Sequence, residues 1–291
     1  MKIKIYIDEV AITHNWIKFS GGELHPIVDI PSTIVDRKNS VIRIEAFLKT
    51  SDDIMHLLLI KNAIENRMHF GNKCVWELFL HYTPYSRQDR INNKGEAFGI
   101  KVFSQLINSM NFDKVSLCDN HSDVGTALIH NSKNVEQVQL IQIFCPKLYN
   151  RLVCKHYTHI ISPDAGALKK THKLADVFGI PVIRADKVRS TSNGHISDIR
   201  IIDECPSDAK ILVLDDICDG GATFVKLAQA VNSKKITETQ IDMFEASSDS
   251  TTKTVAELDL YITNGIFSKG KQVITDVYDN VYVAFDWTKQ E

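Results

Sequence analysis

Val213-Leu214-Asp215-Asp216-Ile217-Cys218-Asp219-Gly220-Gly221-Ala222-Thr223-Phe224 decides how the rest of this 291-residue chain reads. An apolar run from Ile211 to Leu214 ends in two adjacent carboxylates. A third follows at Asp219, then two glycines, a small residue and a threonine, before the helix-like Phe224 to Ala228. The pattern predicts a buried strand, a tight loop and a helix start. In an open parallel sheet ligands sit at this carboxyl end of a strand. Glycines there let backbone N–H groups approach a phosphate, and a helix N-terminus adds a favourable dipole. An ordinary strand–helix turn with an Asp cap is the plain alternative. Three crowded acids are costly, however, unless they hold sugar hydroxyls or a metal.

On either side of this stretch the same arrangement recurs. Met1 to Ile7 alternates like a strand, and Trp16 to Leu24 carries a glycine turn at Gly21-Gly22 that signals a hairpin. Val41 to Phe47 reads as a strand. Ser51-Asp52-Asp53 then caps a helix whose apolar face holds Ile54, Leu57, Leu58 and Ile64. The strand Lys73 to Leu80 empties into His81-Tyr82-Thr83-Pro84-Tyr85-Ser86-Arg87-Gln88-Asp89-Arg90. Arginine forks suit phosphate oxygens and glutamine can address a base edge, although a solvated loop with an Arg–Asp pair would look the same. Ala97 to Met110 reads as a helix with Phe98, Val102, Leu106 and Ile107 on one face. The strand Lys114 to Leu117 leads to Asp119-Asn120-His121-Ser122-Asp123, whose histidine is a candidate metal or phosphate ligand or a plain surface residue.

Further on, His159 to Ile161 opens into Ser162-Pro163-Asp164-Ala165-Gly166-Ala167 and a helix through Phe178. Pro181 to Ile183 opens into Asp186-Lys187-Val188-Arg189 and the polar stretch Ser190 to His195. Lys234 to Lys253 is polar and aperiodic, like an insertion or mobile loop. The strand Leu258 to Ile262 opens into Thr263 to Ser268, and Val281 to Phe285 closes the series. Strands alternating with helices imply an α/β chain of parallel sheets. Two such series, 1–135 and 136–291, are expected to form two similar domains facing one cleft.

Composition narrows the classes of function. A hydrophobic content of 44% supports real cores, and a net charge of −2 gives no electrostatic footprint for nucleic acid. The six cysteines form no C-x-x-C pair, so free buried thiols are expected. No signal-peptide pattern and no bilayer-length apolar run is visible, which leads to the expectation of a soluble cytoplasmic protein without membrane or nucleic-acid partners.

Taken together, these loops resemble the phosphoribosyl pyrophosphate (PRPP) synthetases, or ribose-phosphate diphosphokinases. The family's Tyr/Phe-Ala-Arg-Gln-Asp-Arg loop is similar to Tyr85 to Arg90, with Ser86 for Ala. Its Asp-Leu-His loop is similar to Asp119-Asn120-His121, its Ser-Pro-Asp-x-Gly loop to Ser162 to Gly166, and its Asp-Lys-Arg-Arg loop to Asp186 to Arg189. Phe19-Ser20-Gly21-Gly22-Glu23 is similar to a family Phe-Ser-Asp-Gly-Glu segment. The resemblance implies two phosphoribosyltransferase-like (type I) domains, each a parallel sheet flanked by helices, with ATP as co-substrate and Mg²⁺ as cofactor. It implies that Arg87, Gln88, Asp89 and Arg90 hold ATP, and that Phe19 and Glu23 contact the adenine of a neighbouring subunit in a homo-oligomer, at least a dimer. Mg²⁺ would be held by His121, Asp164 and Asp119. Asp215 and Asp216 would grip the ribose hydroxyls, and Asp219, Gly220, Gly221, Ala222 and Thr223 the 5′-phosphate. Lys187, Arg189 and His121 would be catalytic, with Lys187 and Arg189 on a mobile loop.

The chain also departs from the family. Its phosphate loop normally reads Asp-Thr-Gly-Gly-Thr, whereas Gly220 and Ala222 stand here. Losing one charge-assisted donor costs about 1.5–3 kcal/mol of phosphate binding if nothing replaces it. A related branch, found in phages, takes ADP-ribose as acceptor and makes ADP-ribose pyrophosphate for rebuilding NAD. Gly220 would leave an exit for its longer 5′ substituent. The acceptor reading therefore leans slightly to ADP-ribose over ribose 5-phosphate. The family's aspartate in the first segment is Gly21, and its members continue past Asp286-Trp287 with a strand and helix, so its hexamer and allosteric sites are not implied. A PRPP-consuming phosphoribosyltransferase and a non-catalytic synthetase-associated protein are the rival readings.

Overall fold

The computed structural model describes residues 3–35, 37, 39–68, 73–189, 196–233 and 255–289. The chain divides into two compact units, one reaching Glu136 and the other spanning Gln137–Lys289.

The first unit is a seven-stranded sheet in the order β3-β2-β1-β4-β5-β6-β7. Its strands are β1 (Ile3–Ile7), β2 (Val10–Lys18), β3 (Leu24–Asp29), β4 (Val41–Ala46), β5 (Val75–Leu80), β6 (Lys114–Cys118) and β7 (Ser132–Val135). From β4 to β7 the pairing is parallel, and β1, β2 and β3 extend the sheet antiparallel. Ile3, Ile5 and Ile7 bury the alternating face of β1, and Pro26 sits on the edge strand β3, where its missing N–H costs least. The helices are α1 (Ser32–Val35), α2 (Ser51–Arg67), α3 (Gly99–Ser109) and α4 (Asp123–Leu128).

Two expectations shift here. The α2 cap is Thr50, one residue earlier than expected, in a reciprocal capping box with Asp53. On α3 the buried stripe is Ile100, Phe103, Ser104 and Ile107, while Val102 and Leu106 face solvent. Two apolar stripes overlap along this helix, and the one with Phe103 at its centre turns to the sheet.

The second unit holds a six-stranded sheet in the order β10-β9-β8-β11-β12-β13. The strands are β8 (His159–Ser162), β9 (Val182–Arg189), β10 (Ile196–Ile201), β11 (Lys210–Cys218), β12 (Glu257–Gly265) and β13 (Asn280–Asp286). All neighbours are parallel except β9 and β10, which form an antiparallel edge. The helices are α5 (Gln137–Phe144), α6 (Pro146–Val153), α7 (Leu168–Phe178), α8 (Ala222–Ser233) and α9 (Gln272–Thr275).

The central strand β11 is apolar from Ile211 to Leu214 because both of its faces are covered there. Ile211 and Val213 belong to the core that includes Phe224, Leu227 and Val231 of α8. Leu212 and Leu214 belong to the opposite core, with Ile141, Leu148 and Leu174. All six cysteines are free. The polar stretch Lys234 to Lys253 lies outside the described residues.

Candidate active site

Strand alternation carries past Leu214 into the two carboxylates. Asp216 falls on the face of α7, and Lys170 of that helix meets it, Nζ to Oδ2 at 3.1 Å. The backbone N–H of Asp216 donates to Asp215 Oδ1 at 2.9 Å. Burial pushes the Asp215 carboxyl well above the usual carboxylate range, reinforced by the negative charges of Asp216 and Asp164. Such a pair stays out of water only if something with hydroxyl donors or positive charge completes it.

The loop after β11 is tied down on its far side. Ser268 Oγ donates to Asp219 Oδ1 at 2.6 Å, and the Ser268 N–H donates to the Asp219 carbonyl at 3.2 Å. Gly221 has φ +80°, and a β-carbon on it would lie 2.7 Å from Ile274 Cδ1, so both its backbone and its surroundings demand glycine. The chain then enters α8 at Ala222 and Thr223. Tyr278 donates from its buried hydroxyl to the Phe224 carbonyl at 2.9 Å, which braces the first turn. Carboxylates, a glycine turn and a helix start are thus held in one frame. Cys218 beside them is no nucleophile: burial, then Asp215 and Asp219, push its thiol to about 12.

Asp164 follows β8. Its Oδ1 accepts from the Ala167 N–H at 3.0 Å, and Lys187 Nζ stands 2.5 Å from its Oδ2. Burial alone would raise this carboxyl, but the Lys187 hydrogen bond and charge, with the N–H groups of Ala167 and Gly166, outweigh it and leave it below the ordinary range. Lys187 is not on a loop. β9 continues through Asp186 and Lys187 to Arg189 because β10 pairs with it, Ile199 opposite Lys187 and Ile201 opposite Ala185, and both isoleucines are buried. The expected mobile loop is therefore a strand over 182–189. Residues 190–195 and the Arg189 side chain lie outside what is described.

In the first unit, the β5 exit folds over the start of α3. Tyr85 takes a positive φ of 62°, Ser86 is buried, and Gln88 lies against Gly99, where a β-carbon would sit 2.2 Å from Gln88 Oε1. Asp89 and Arg90 pair with each other, Nε to Oδ1 at 3.0 Å. The Arg90 hydrogen bond is the main cause of a lowered Asp89 pKa. Ser122 and the charges of Arg90 and His121 add to it, against the opposing pull of burial. This brings the Arg87–Arg90 loop and the His121 loop together. Asp119, buried and at φ 44°, donates its N–H to the Val135 carbonyl at 2.9 Å.

Phe19 and Glu23 sit at the tip of the β2–β3 hairpin, closed by the Phe19 N–H donating to the Glu23 carbonyl at 2.9 Å, and both are exposed.

Among the described residues no three His, Cys, Asp or Glu side chains converge as a metal cluster. Mg²⁺ shared with phosphate oxygens needs only one or two protein carboxylates, and Asp119 in the first unit and Asp164 in the second are each able to offer one. His121 is the poorer donor for so hard a cation. Lys170, Ser268 and Lys269 were not anticipated from sequence: they lie 46 or more residues from the carboxylates they meet or flank, and nothing in their local pattern marks them.

Comparison with a solved structure decides the architecture. The chain superposes on phosphoribosylpyrophosphate synthetase from Mycobacterium smegmatis with a TM-score of 0.72, covering 98% of this chain and 85% of that one at 16% identity. Its fold is that of a phosphoribosylpyrophosphate synthetase. In sequence it is similar to ribose-phosphate pyrophosphokinases. It is 27% identical to that of Campylobacter jejuni over 226 residues, which cover 75% of this chain and 66% of that protein. It is 24% identical to that of Saccharolobus solfataricus over 280 residues, covering 91% and 89%. The chain thus spans just under two thirds of the Campylobacter relative. No family model matches it. No helix among the described residues is long and apolar enough to cross a membrane.

Proposed function

We propose that this chain is an ATP-dependent diphosphokinase. It transfers the β,γ-diphosphoryl group of ATP to the anomeric 1-hydroxyl of a ribose that carries a 5′-phosphoryl group, and it releases AMP. The observation that carries this reading is the frame at the end of β11, where Asp215 and Asp216 precede a glycine turn that opens a helix. Two carboxylates suit the cis-hydroxyls of ribose, and the N–H groups of 219–223 suit a phosphate. The similarity to ribose-phosphate pyrophosphokinases supports the same reaction.

In this reading Arg87, Gln88, Asp89 and Arg90 hold ATP, while Phe19 and Glu23 serve a neighbouring subunit in a homo-oligomer. The acceptor oxygen bonds to the β-phosphorus as the bond to the α-phosphate bridging oxygen breaks, and AMP leaves with that oxygen. The acceptor hydroxyl loses its proton in the process. Such a transfer depends on alignment and charge neutralisation more than on covalent help. Lys187, Arg189 and His121 supply positive charge to the moving group. Lys187 has to leave Asp164 to do so, and Asp164 is then free for a cation. When bound, Mg²⁺ would neutralise phosphate charge, and Asp119 and Asp164 would each be able to offer it a carboxylate oxygen.

Within this reaction we favour ADP-ribose as acceptor, with ribose 5-phosphate close behind, because Gly220 puts no side chain of its own where a longer 5′ substituent would pass. This would place the chain in NAD rebuilding, as in the phage branch. Incubation with Mg-ATP and each acceptor separately, with AMP measured, tests both levels. Turnover with ribose 5-phosphate alone overturns the ADP-ribose reading, and no AMP with either acceptor overturns the reaction.

A further inference from the structure

Beside the glycine turn lies a lysine that neither the ATP loop nor the carboxylate frame uses. A β-carbon on Gly220 would lie 3.4 Å from Cδ, 3.5 Å from Cε and 3.6 Å from Cγ of Lys269. The lysine stem therefore runs along the open face of Gly220, with Nζ one bond beyond Cε. Its backbone is fixed there, because the preceding residue, Ser268, holds Asp219 through both its hydroxyl and its N–H. Other lysines around this end of the sheet are neutralised: Lys170 by Asp216, Lys187 by Asp164 and Lys271 by Asp286. Lys269 is exposed, and among the described residues no carboxylate pairs with it. Gly220 itself offers the loop no side-chain donor, and a branched side chain there would crowd the stem.

We infer that Lys269 is a specificity-determining residue, the cationic donor to the phosphoryl group on the 5′ carbon of the acceptor. This rests on the ribose-phosphate reading of the 215–223 frame. A flexible ammonium acts on phosphate as a point charge rather than a fork, so it serves one phosphoryl group or the nearer of two. Its position suits that role, because it stands over the glycine turn beside the N-terminus of α8, where N–H groups already favour an anion.

The test compares wild type with Lys269→Ala and Lys269→Arg, using ribose 5-phosphate and ADP-ribose as the two probes. Expected for Lys269→Ala is an increase of about tenfold or more in KM for whichever acceptor wild type uses, the size of one lost charge-assisted contact. The KM for ATP stays within twofold, and Lys269→Arg recovers most of the loss. A merely structural role would move kcat, the ATP KM and the melting temperature together. An acceptor KM that changes less than threefold overturns the inference while leaving the diphosphokinase reading intact. Calorimetric titration of each probe, without ATP, separates the two failures. Weaker binding to Lys269→Ala supports the inference even if AMP is never released. Equal binding overturns it, and no binding to wild type overturns both.

Discussion

The exits of β5 and β11 occupy the same end of a parallel strand, yet they are built from opposite materials. After β5 comes a long, exposed loop whose polar reach lies in arginine and glutamine side chains. Its shape is kept by Tyr85 in a left-handed conformation, by Gln88 packed over Gly99, and by Asp89 tying Arg90 and Ser122. At the end of β11 and just beyond it stands a short frame of carboxylates and backbone, pinned by Lys170 on one side and Ser268 on the other. The first can lose the Arg87 side chain without disturbing the fold, because that group is exposed. The second stores electrostatic strain in the fold itself, so function and stability there pull against each other.

Mutation probes the difference from both sides. The largest expected effect is on turnover: Lys187→Ala, which removes the cation now resting on Asp164, should lower kcat by about 10²–10³ while ATP binding stays near normal. Wild-type turnover in that variant removes Lys187 from the reaction. Arg87→Ala should raise the KM for ATP by roughly tenfold with no change in melting temperature, since an exposed loop side chain contributes little to folding. A clear drop in melting temperature would show that the first loop is as structural as the second.

Two neighbouring glycines divide the second loop more finely. Gly221→Ala should cost about 1–3 kcal/mol in denaturant unfolding, because it forces a left-handed φ and meets Ile274, whereas Gly220→Ala should fall within about 0.5 kcal/mol. Equal costs would contradict the geometry of the turn. The smallest effect concerns pH. The Asp215 carboxyl is raised in the fold, so its proton binds more tightly there than in the unfolded chain. The stability it contributes is full below the unfolded value of about 3.9 and is lost as pH rises through the folded one. Asp215→Asn should therefore raise the melting temperature at neutral pH, on the order of 2–4 °C, and the gain should vanish toward pH 4. A loss of stability at neutral pH would mean that the carboxylate is compensated.

Much of the fold was legible because physics wrote it locally. The run Ile211 to Leu214 read as a buried strand and is one, although β11 runs on through Asp215 and Asp216 to Cys218, so the loop starts only at Asp219. The β2–β3 hairpin was equally plain at Gly21-Gly22. What escaped was what depends on distant partners. β10 turned Asp186 and Lys187 from loop into strand by offering Ile199 and Ile201 across a ladder. The two overlapping stripes of α3 could not be ranked until the sheet chose Phe103. Lys170, Ser268 and Lys269 carry no pattern of their own, and only the packing of α7 and of the β12–α9 connection brings them to the carboxylates.

The reaction itself is tested most directly by identifying the nucleotide released when purified protein meets Mg-ATP and a 5′-phosphorylated ribose. Diphosphoryl transfer predicts AMP, formed only when acceptor is present and in equal amount to a 1-diphosphorylated sugar seen by phosphorus NMR. ADP as product, or AMP formed at the same rate without acceptor, would contradict it.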